Sequence, residues 1–496
     1  MSGWWSGTIL ALYYLILGVL AAYGVHRLVL VSVYWRTRRS APSQTSLPSE
    51  PRAWPVVTVQ LPIFNEKYVA TRLIEAACAL DYPRTRLEIQ VLDDSTDATR
   101  ELVAEQVERL RAQGHDVHHL HRENREGFKA GALAAGLVQA RGELIAVFDA
   151  DFLPGPDFLR RTVPPFADPA VGMVQARWGH LNREYSLLTR VQAILLDGHF
   201  IVEHAARNRG GCFFNFNGTA GVWRREAIDD AGGWEHDTLT EDLDLSYRAQ
   251  LAGWRFVFLP EVVVPAELPA EINAYKSQQH RWAKGSIQTG RKLLAKVLRA
   301  PLPWHAKLEA LVHLTNNSAY LLMLALSVLV FPAMYLRQGA SWWTLLAIDL
   351  PLFLAATVSV LIFYTVSQAA QPGPLVPRLL QLPALMGVGI GLAVSNSRAV
   401  ISGFFEDGGV FHRTPKYNIE GTKGGWEDKS YRLRRGLSFY LEAAFALYFV
   451  LCFYLAWQHE MWLSLPFLYL FLQGYVYMTL LGLLPGLGRS SSGVAP

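Results

Sequence analysis

The sequence predicts an α/β domain with a mostly parallel sheet, set between membrane-spanning helices. Apolar runs of strand length alternate with helical stretches from residue 56 to residue 300, the signature of consecutive βα units. Long apolar segments flank that region on both sides, and about 20 such residues suffice to cross a bilayer. The 496-residue chain is 51% hydrophobic, with mean hydropathy +0.16. That is too apolar for a purely soluble protein and too polar for a purely membrane one.

Residues 7–33 form a long, predominantly apolar stretch, no Lys or Arg precedes it, and Arg36, Arg38 and Arg39 follow. A cleaved signal peptide has a basic start and a shorter apolar core, so residues 1–39 read as a permanent span with residue 36 onward in the cytoplasm. Residues 40–55, with Pro42, Pro48, Pro51 and Pro55, read as a linker. The domain at 56–300 offers strands at Val56–Phe64, Leu87–Leu92, Val117–His121 and Leu144–Phe148, with helices at 70–80, 97–112 and 129–140. Later strands are expected at 171–177, 217–223 and 255–259.

Two spans follow within 301–366, at Leu308–Tyr335 and Trp343–Val366, and two more within 437–485, at Leu437–Trp457 and Trp462–Leu484. Residues 379–401 are interrupted by Ser395-Asn-Ser-Arg398. The following loop carries Arg413, Lys416, Lys423, Lys429, Arg432, Arg434 and Arg435, and such a loop belongs in the cytoplasm. Parity then makes 379–401 an interfacial helix with Arg398 toward water. Five spans result, N-terminus out and C-terminus in, with six spans as the alternative; 367–436 becomes an interface helix plus loop. The Gly/Ser-rich tail at 486–496 is expected to carry no further domain. A net charge of +4 makes no case for a nucleic-acid partner. Cys78, Cys212 and Cys452 lie far apart and show no ligand spacing, which fits a reducing compartment.

The candidate chemistry sits at strand ends. Leu144–Phe148 reads as a strand buried on both faces, followed by Asp149 and Asp151. Ligands of open α/β sheets bind beyond the carboxyl ends of strands, and two carboxylates there can hold a hard divalent cation that bridges phosphates. Asp94, at the end of the second strand, can accept hydrogen bonds from a ribose or base. Ser95 and Asp97 can equally cap the next helix. Lys129, in Gly127-Phe-Lys-Ala-Gly131, can meet phosphate near a helix start. In Thr240-Glu241-Asp242, before the helical run 243–252, Asp242 can cap the helix or act as general base, and the helix dipole favours its ionised form. In Gln278-Gln-His-Arg281-Trp282, Arg281 offers a planar fork to a diphosphate and Trp282 a face to a sugar ring; an interfacial Trp with a snorkelling Arg is the structural alternative.

Together, Asp94, Asp149-Ala-Asp151, Thr240-Glu-Asp242 and Gln278-x-x-Arg281-Trp282 resemble the D, DxD, TED and QxxRW set of processive family 2 glycosyltransferases, which include cellulose, chitin and hyaluronan synthases. The order and spacing match, and the resemblance runs from about residue 55 to 484. Gln60-Leu-Pro-Ile-Phe-Asn-Glu66, Gln90-Val-Leu-Asp-Asp-Ser-Thr-Asp97 and Asn217-Gly-Thr-Ala-Gly-Val-Trp223 are similar to the plant cellulose synthase-like A and C groups. Phe411-His-Arg413-Thr414-Pro-Lys416 is similar to the cellulose synthase gating loop, F-x-V-T-x-K, and departs from it at Arg413.

The resemblance implies a GT-A-type nucleotide-sugar domain held between transmembrane helices and inverting transfer at a cytoplasmic active site in the cell membrane. It implies Glu66, Asp94, Lys129 and Asp149 at the donor nucleotide, and Asp149 and Asp151 at Mg²⁺ or Mn²⁺. Asp242 becomes the catalytic base; Glu241, Gln278, Arg281 and Trp282 serve the acceptor and diphosphate; Phe411, Thr414 and Lys416 belong to a gating-type loop. The implied partners are UDP-glucose or GDP-mannose, a growing β-linked glucan or mannan with β-1,4 linkage, and the bilayer across which the product moves. Transfer of a single sugar to a lipid is the alternative activity.

Overall fold

The computed structural model describes residues 3–38, 53–338, 342–411, 413–426, 429 and 436–487. Arg39, residues 40–52 of the linker, the basic residues Arg432, Arg434 and Arg435, and the tail after 487 lie outside the described residues.

Seven strands form one sheet: β1 (Val57–Ile63), β2 (Leu87–Asp93), β3 (Val117–His121), β4 (Leu144–Val147), β5 (Val171–His180), β6 (Gly221–Arg224) and β7 (Arg255–Ala266), in the order β3-β2-β1-β4-β6-β5-β7. β1 lies parallel to β2 and β4, with Val57 opposite Leu87 and Leu144. β3 continues the parallel run, and β5 is parallel to β7. Every residue of β2 and β4 is buried, as expected for a sheet covered on both faces. One face packs Val57, Val59 and Leu61 with Leu73, Ile74, Val103 and Val107. The other packs Ile145 and Val147 with Leu133, Leu137 and Trp223.

The departures from expectation are local. The strand expected at 217–223 begins at Gly221, because Gly218 and Ala220 take φ angles of 80° and 54° and turn the chain first. β6 then runs antiparallel to both β4 and β5. This brings the 217–220 turn to the carboxyl end of β4, beside Asp149. β5 and β7 extend past their expected ends and pair as far as His180 and Ala266, across a register shift between Ala176 and Arg177. Helices Ala70–Cys78, Thr99–Ala112, Phe128–Gln139 and Glu241–Leu251 lie within two residues of their expected ends.

Among the described residues, five helices are long and apolar enough to cross a membrane: Trp4–Thr37, Trp304–Leu336, Leu346–Ala369, Leu437–Gln458 and Trp462–Leu483. The segment expected at the interface is broken, not continuous. Val376–Gly391 and Ala393–Phe405 meet at 45°. The second piece lies along the helix Ile272–Arg299, packing Ala399 and Val400 on Ala283 and Ile287, with His280 Nδ1 3.2 Å from the Ser395 carbonyl oxygen. Arg398 is exposed.

Candidate active site

One cleft at the carboxyl ends of β1, β2 and β4 is lined by all thirteen candidate residues: Glu66, Asp94, Lys129, Asp149, Asp151, Glu241, Asp242, Gln278, Arg281, Trp282, Phe411, Thr414 and Lys416. They come from five strand ends or helix starts, from the body of the helix Ile272–Arg299 and from the loop after Phe405.

Asp149 follows β4, and its amide N–H donates to Thr219 Oγ1 at 2.9 Å. Its carboxylate lies 2.5 Å from Lys129 Nζ, which also donates to the Gly218 carbonyl at 2.9 Å. Asp151 is buried, and its Oδ2 accepts from Lys416 Nζ at 2.6 Å. Each acidic residue of the pair thus faces an ammonium. The oxygen-donor set suits Mg²⁺ or Mn²⁺. By the same criteria of charge and donor type, Asp149 and Asp151 fit the divalent cation expected there. A side chain at Gly218, where φ is +80°, would bring its Cβ to 3.0 Å from Asp242 Oδ2 and 3.2 Å from Lys129 Nζ. Glycine lets this turn close onto both.

Glu241 and Asp242 open the helix Glu241–Leu251, and Asp242 Oδ1 accepts from the Leu243 amide at 2.8 Å. The expectation that the helix N-terminus keeps Asp242 ionised is corrected here. Burial, reinforced by the Glu241 carboxylate, pushes Asp242 up to about 7, and Lys129 offsets only part of that. Burial raises Glu241 as well. Desolvation of two adjacent carboxylates outweighs a partial helix charge. Glu66 is pushed up to about 8 by burial, although Arg413 NH1 stands 2.9 Å away.

The helix Ile272–Arg299 contributes Gln278, Arg281 and Trp282. The Arg281 guanidinium lies 4.3 Å from the Phe411 ring centroid, so the gating-type loop and the Arg-Trp motif meet directly. Phe411 also stacks on Phe128, with centroids 6.2 Å apart. Trp282 sits 6.4 Å from Trp178, which packs edge-on against Phe152 at 5.2 Å. This extends an aromatic wall from the acidic strand end toward the membrane helices.

Asp94 is held in a two-pronged pair by Arg122, Nε to Oδ1 at 2.8 Å and NH2 to Oδ2 at 2.6 Å. Arg125 stacks 3.4 Å from the Phe64 centroid. Arg122, Arg125, Trp178, Asn217, Glu267 and Arg413 were not singled out by sequence reasoning as site residues. Arg122 and Arg125 stand immediately before Gly127-Phe-Lys129, a signal open to a closer reading. Asn217 and Arg413 fall inside motif stretches without a role being assigned to them, and Trp178 and Glu267 carry no local signal, since strand pairing brings them in. Glu267 accepts the amides of Tyr417 and Asn418, both at 2.8 Å, and its carbonyl takes Lys416 Nζ at 2.9 Å. It anchors the loop end that carries Lys416.

A seven-stranded sheet of this order, with an acidic pair beyond β4 and basic residues converging on it, is a GT-A-type fold. Residues 55–285 match the family described as "Glycosyltransferase like family 2". The chain is 47% identical over 252 residues to "Glucomannan 4-beta-mannosyltransferase 1" of Oryza sativa subsp. japonica, covering 50% of this chain and 48% of that one. It is also 47% identical over 251 residues to "Glucomannan 4-beta-mannosyltransferase 2" of Arabidopsis thaliana, covering 50% and 47%. The chain spans about half the length of these curated relatives. A mannosyltransferase from Pyrobaculum calidifontis, solved with GDP-Man and Mn²⁺, superposes with TM-score 0.51 at 22% identity over 79% of this chain and 99% of that one, and shares the fold.

Proposed function

We propose that the chain is a membrane-integrated, inverting hexosyltransferase that builds a β-linked, β-1,4, mannan or glucan from a nucleotide sugar and passes the product across the cell membrane. The observation that carries this reading is the convergence of Asp149, Asp151 and Lys129 with Glu241, Asp242 and the Gln278–Trp282 motif in one cleft, closed by Lys416 and Phe411 of a loop between membrane helices. The 4-beta-mannosyltransferase names of the plant relatives favour GDP-mannose over UDP-glucose as donor.

In this reading Asp242 removes the proton of an acceptor hydroxyl. The resulting oxygen attacks the anomeric carbon from the face opposite the diphosphate. The bond from that carbon to the diphosphate breaks, nucleoside diphosphate leaves, and configuration inverts. Arg281 and Lys416 take up the charge that develops on the leaving group. Trp282 and Trp178 bind the acceptor end. Asp149 and Asp151 would hold Mg²⁺ or Mn²⁺, which neutralises diphosphate charge when bound.

The same geometry supports one shared side for the catalytic domain and this loop, and the loop's basic residues favour the cytoplasmic one. The loop after Phe405 bonds to the catalytic domain, Gly408 N–H to the Asp237 carbonyl at 2.8 Å and Arg72 to Asn418 and Glu420 at 2.5 and 2.6 Å. Loop and domain therefore share one side. Two crossings, Trp304–Leu336 and Leu346–Ala369, return the chain to that side, so the bent pair 376–405 makes no net crossing. The test is a panel of nucleotide sugars, GDP-mannose and UDP-glucose included, given to the purified full chain in detergent, followed by linkage and length analysis. A β-1,4 mannan or glucan is expected. A single sugar on a lipid would overturn the polymerase reading and keep the transferase.

A further inference from the structure

The inward face of edge strand β3 begins with Val117 and should continue apolar. It continues instead with His119 and His121, the same-face positions two and four residues on, paired in register with Val91 and Asp93 of β2. Asp93 is fully buried, and its Oδ2 lies 2.9 Å from His119 Nε2 and 3.7 Å from His121 Nδ1. One histidine suffices to pair the carboxylate. The second leaves its Nδ1 buried with no hydrogen-bond partner among the described residues. From this geometry we propose that Asp93, His119 and His121 form a second cation site, distinct from the acidic pair at β4, that takes Zn²⁺ or a similar borderline transition metal.

The three ligand atoms lie within 4.8 Å of one another. Tetrahedral zinc with bonds of about 2.0–2.2 Å spaces its ligand atoms by roughly 3.4 Å, so small side-chain rotations close the set. Asp93 Oδ1 accepts the Ser95 amide at 2.9 Å, which fixes the carboxylate as outer partners of metal ligands do. Arg122, which lines the same cavity as the two histidines, is taken up by Asp94. Both imidazoles are 17% exposed and line a cavity of about 230 Å³ that opens to solvent, leaving room for a water or further ligand. Asp94 borders both this cavity and the donor cleft, so the ion would brace the residue expected at the nucleotide. Two nitrogens and one oxygen select zinc, cobalt or nickel, whereas Asp149 and Asp151 with a diphosphate select Mg²⁺ or Mn²⁺.

The selectivity difference supplies the test. Tag-free full chain in detergent is equilibrated with Zn²⁺ in a large excess of Mg²⁺, desalted into Mg²⁺ buffer, and its zinc counted by elemental analysis. Wild type is expected to keep one zinc per chain. His119→Asn and His121→Asn are expected to lose it, with affinity down more than about 10-fold, and Asp149→Asn to keep it. His119→Cys supplies a thiolate that zinc also accepts and is expected to retain the ion, which a fold defect at this position would not allow. Any other pattern overturns the site.

Discussion

Lys416 Nζ lies 2.6 Å from Asp151 Oδ2 and 2.9 Å from the Glu267 carbonyl. A loop between two membrane helices thus supplies the positive charge for the second aspartate of the acidic pair. An ammonium and a divalent cation compete for that oxygen. Truncating Lys416 to Met should therefore tighten Mn²⁺ binding measured by EPR without nucleotide, by about 5-fold or more, equivalent to roughly 1 kcal/mol. The same variant should lose transfer activity, because the charge offered to the diphosphate is gone. Unchanged or weaker Mn²⁺ binding would rule out the competition.

Asp149 and Asp151 should make the enzyme dependent on a divalent cation. Asp151→Asn removes one charge without changing shape. Transfer should drop below detection while the far-UV circular dichroism stays that of wild type. Excess EDTA should have the same effect, reversed by Mg²⁺ or Mn²⁺. Full turnover in EDTA would remove the metal assignment.

Asp242 is pushed up to about 7 by burial beside Glu241. A base must be unprotonated to accept a proton, so kcat/KM should rise with pH through an acid limb near 7 and fall off below it. Asp242→Asn cannot accept the proton. Its transfer rate should drop by about 10²–10⁴-fold while donor-nucleotide binding stays close to wild type. Glu241→Gln should be the milder change. The reverse ranking would move the base to Glu241. An acid limb near 4 would contradict the buried carboxylate.

The sequence was most legible where one physical cause dominates. Leu144–Phe148 reads as a buried strand because both faces are covered, and Asp149 and Asp151 then fall at its end. The membrane spans follow from apolar length. What was not legible depended on tertiary juxtaposition. β6 runs antiparallel because Gly218 and Ala220 turn the chain just before it, which periodicity does not report. The raised Asp242 carboxyl depends on desolvation of the Glu241–Asp242 pair, which a helix-dipole argument omits. Glu267, Trp178 and Arg413 enter the cleft only through strand pairing and the loop. Arg413, the position at which the loop departs from the gating pattern, meets Glu66 at 2.9 Å, a pairing invisible to any local window.

The last prediction concerns sidedness. Seven basic residues between 413 and 435 favour a cytoplasmic loop by the positive-inside rule. The contacts of Gly408 and Arg72 tie that loop to the catalytic domain independently. Thr422 is exposed at its tip and is a better reporter than Gly408, whose φ of +56° would strain a side chain. A cysteine in place of Thr422 should resist a membrane-impermeant thiol reagent in intact cells and react once the membrane is permeabilised. The parent chain, whose Cys78 and Cys452 are buried, gives the background. Labelling in intact cells at the permeabilised rate would put the loop outside. Because Lys416 meets Asp151 from that loop, the catalytic domain would then have to lie outside with it, and the whole five-span topology would be inverted, the bent pair 376–405 still making no net crossing.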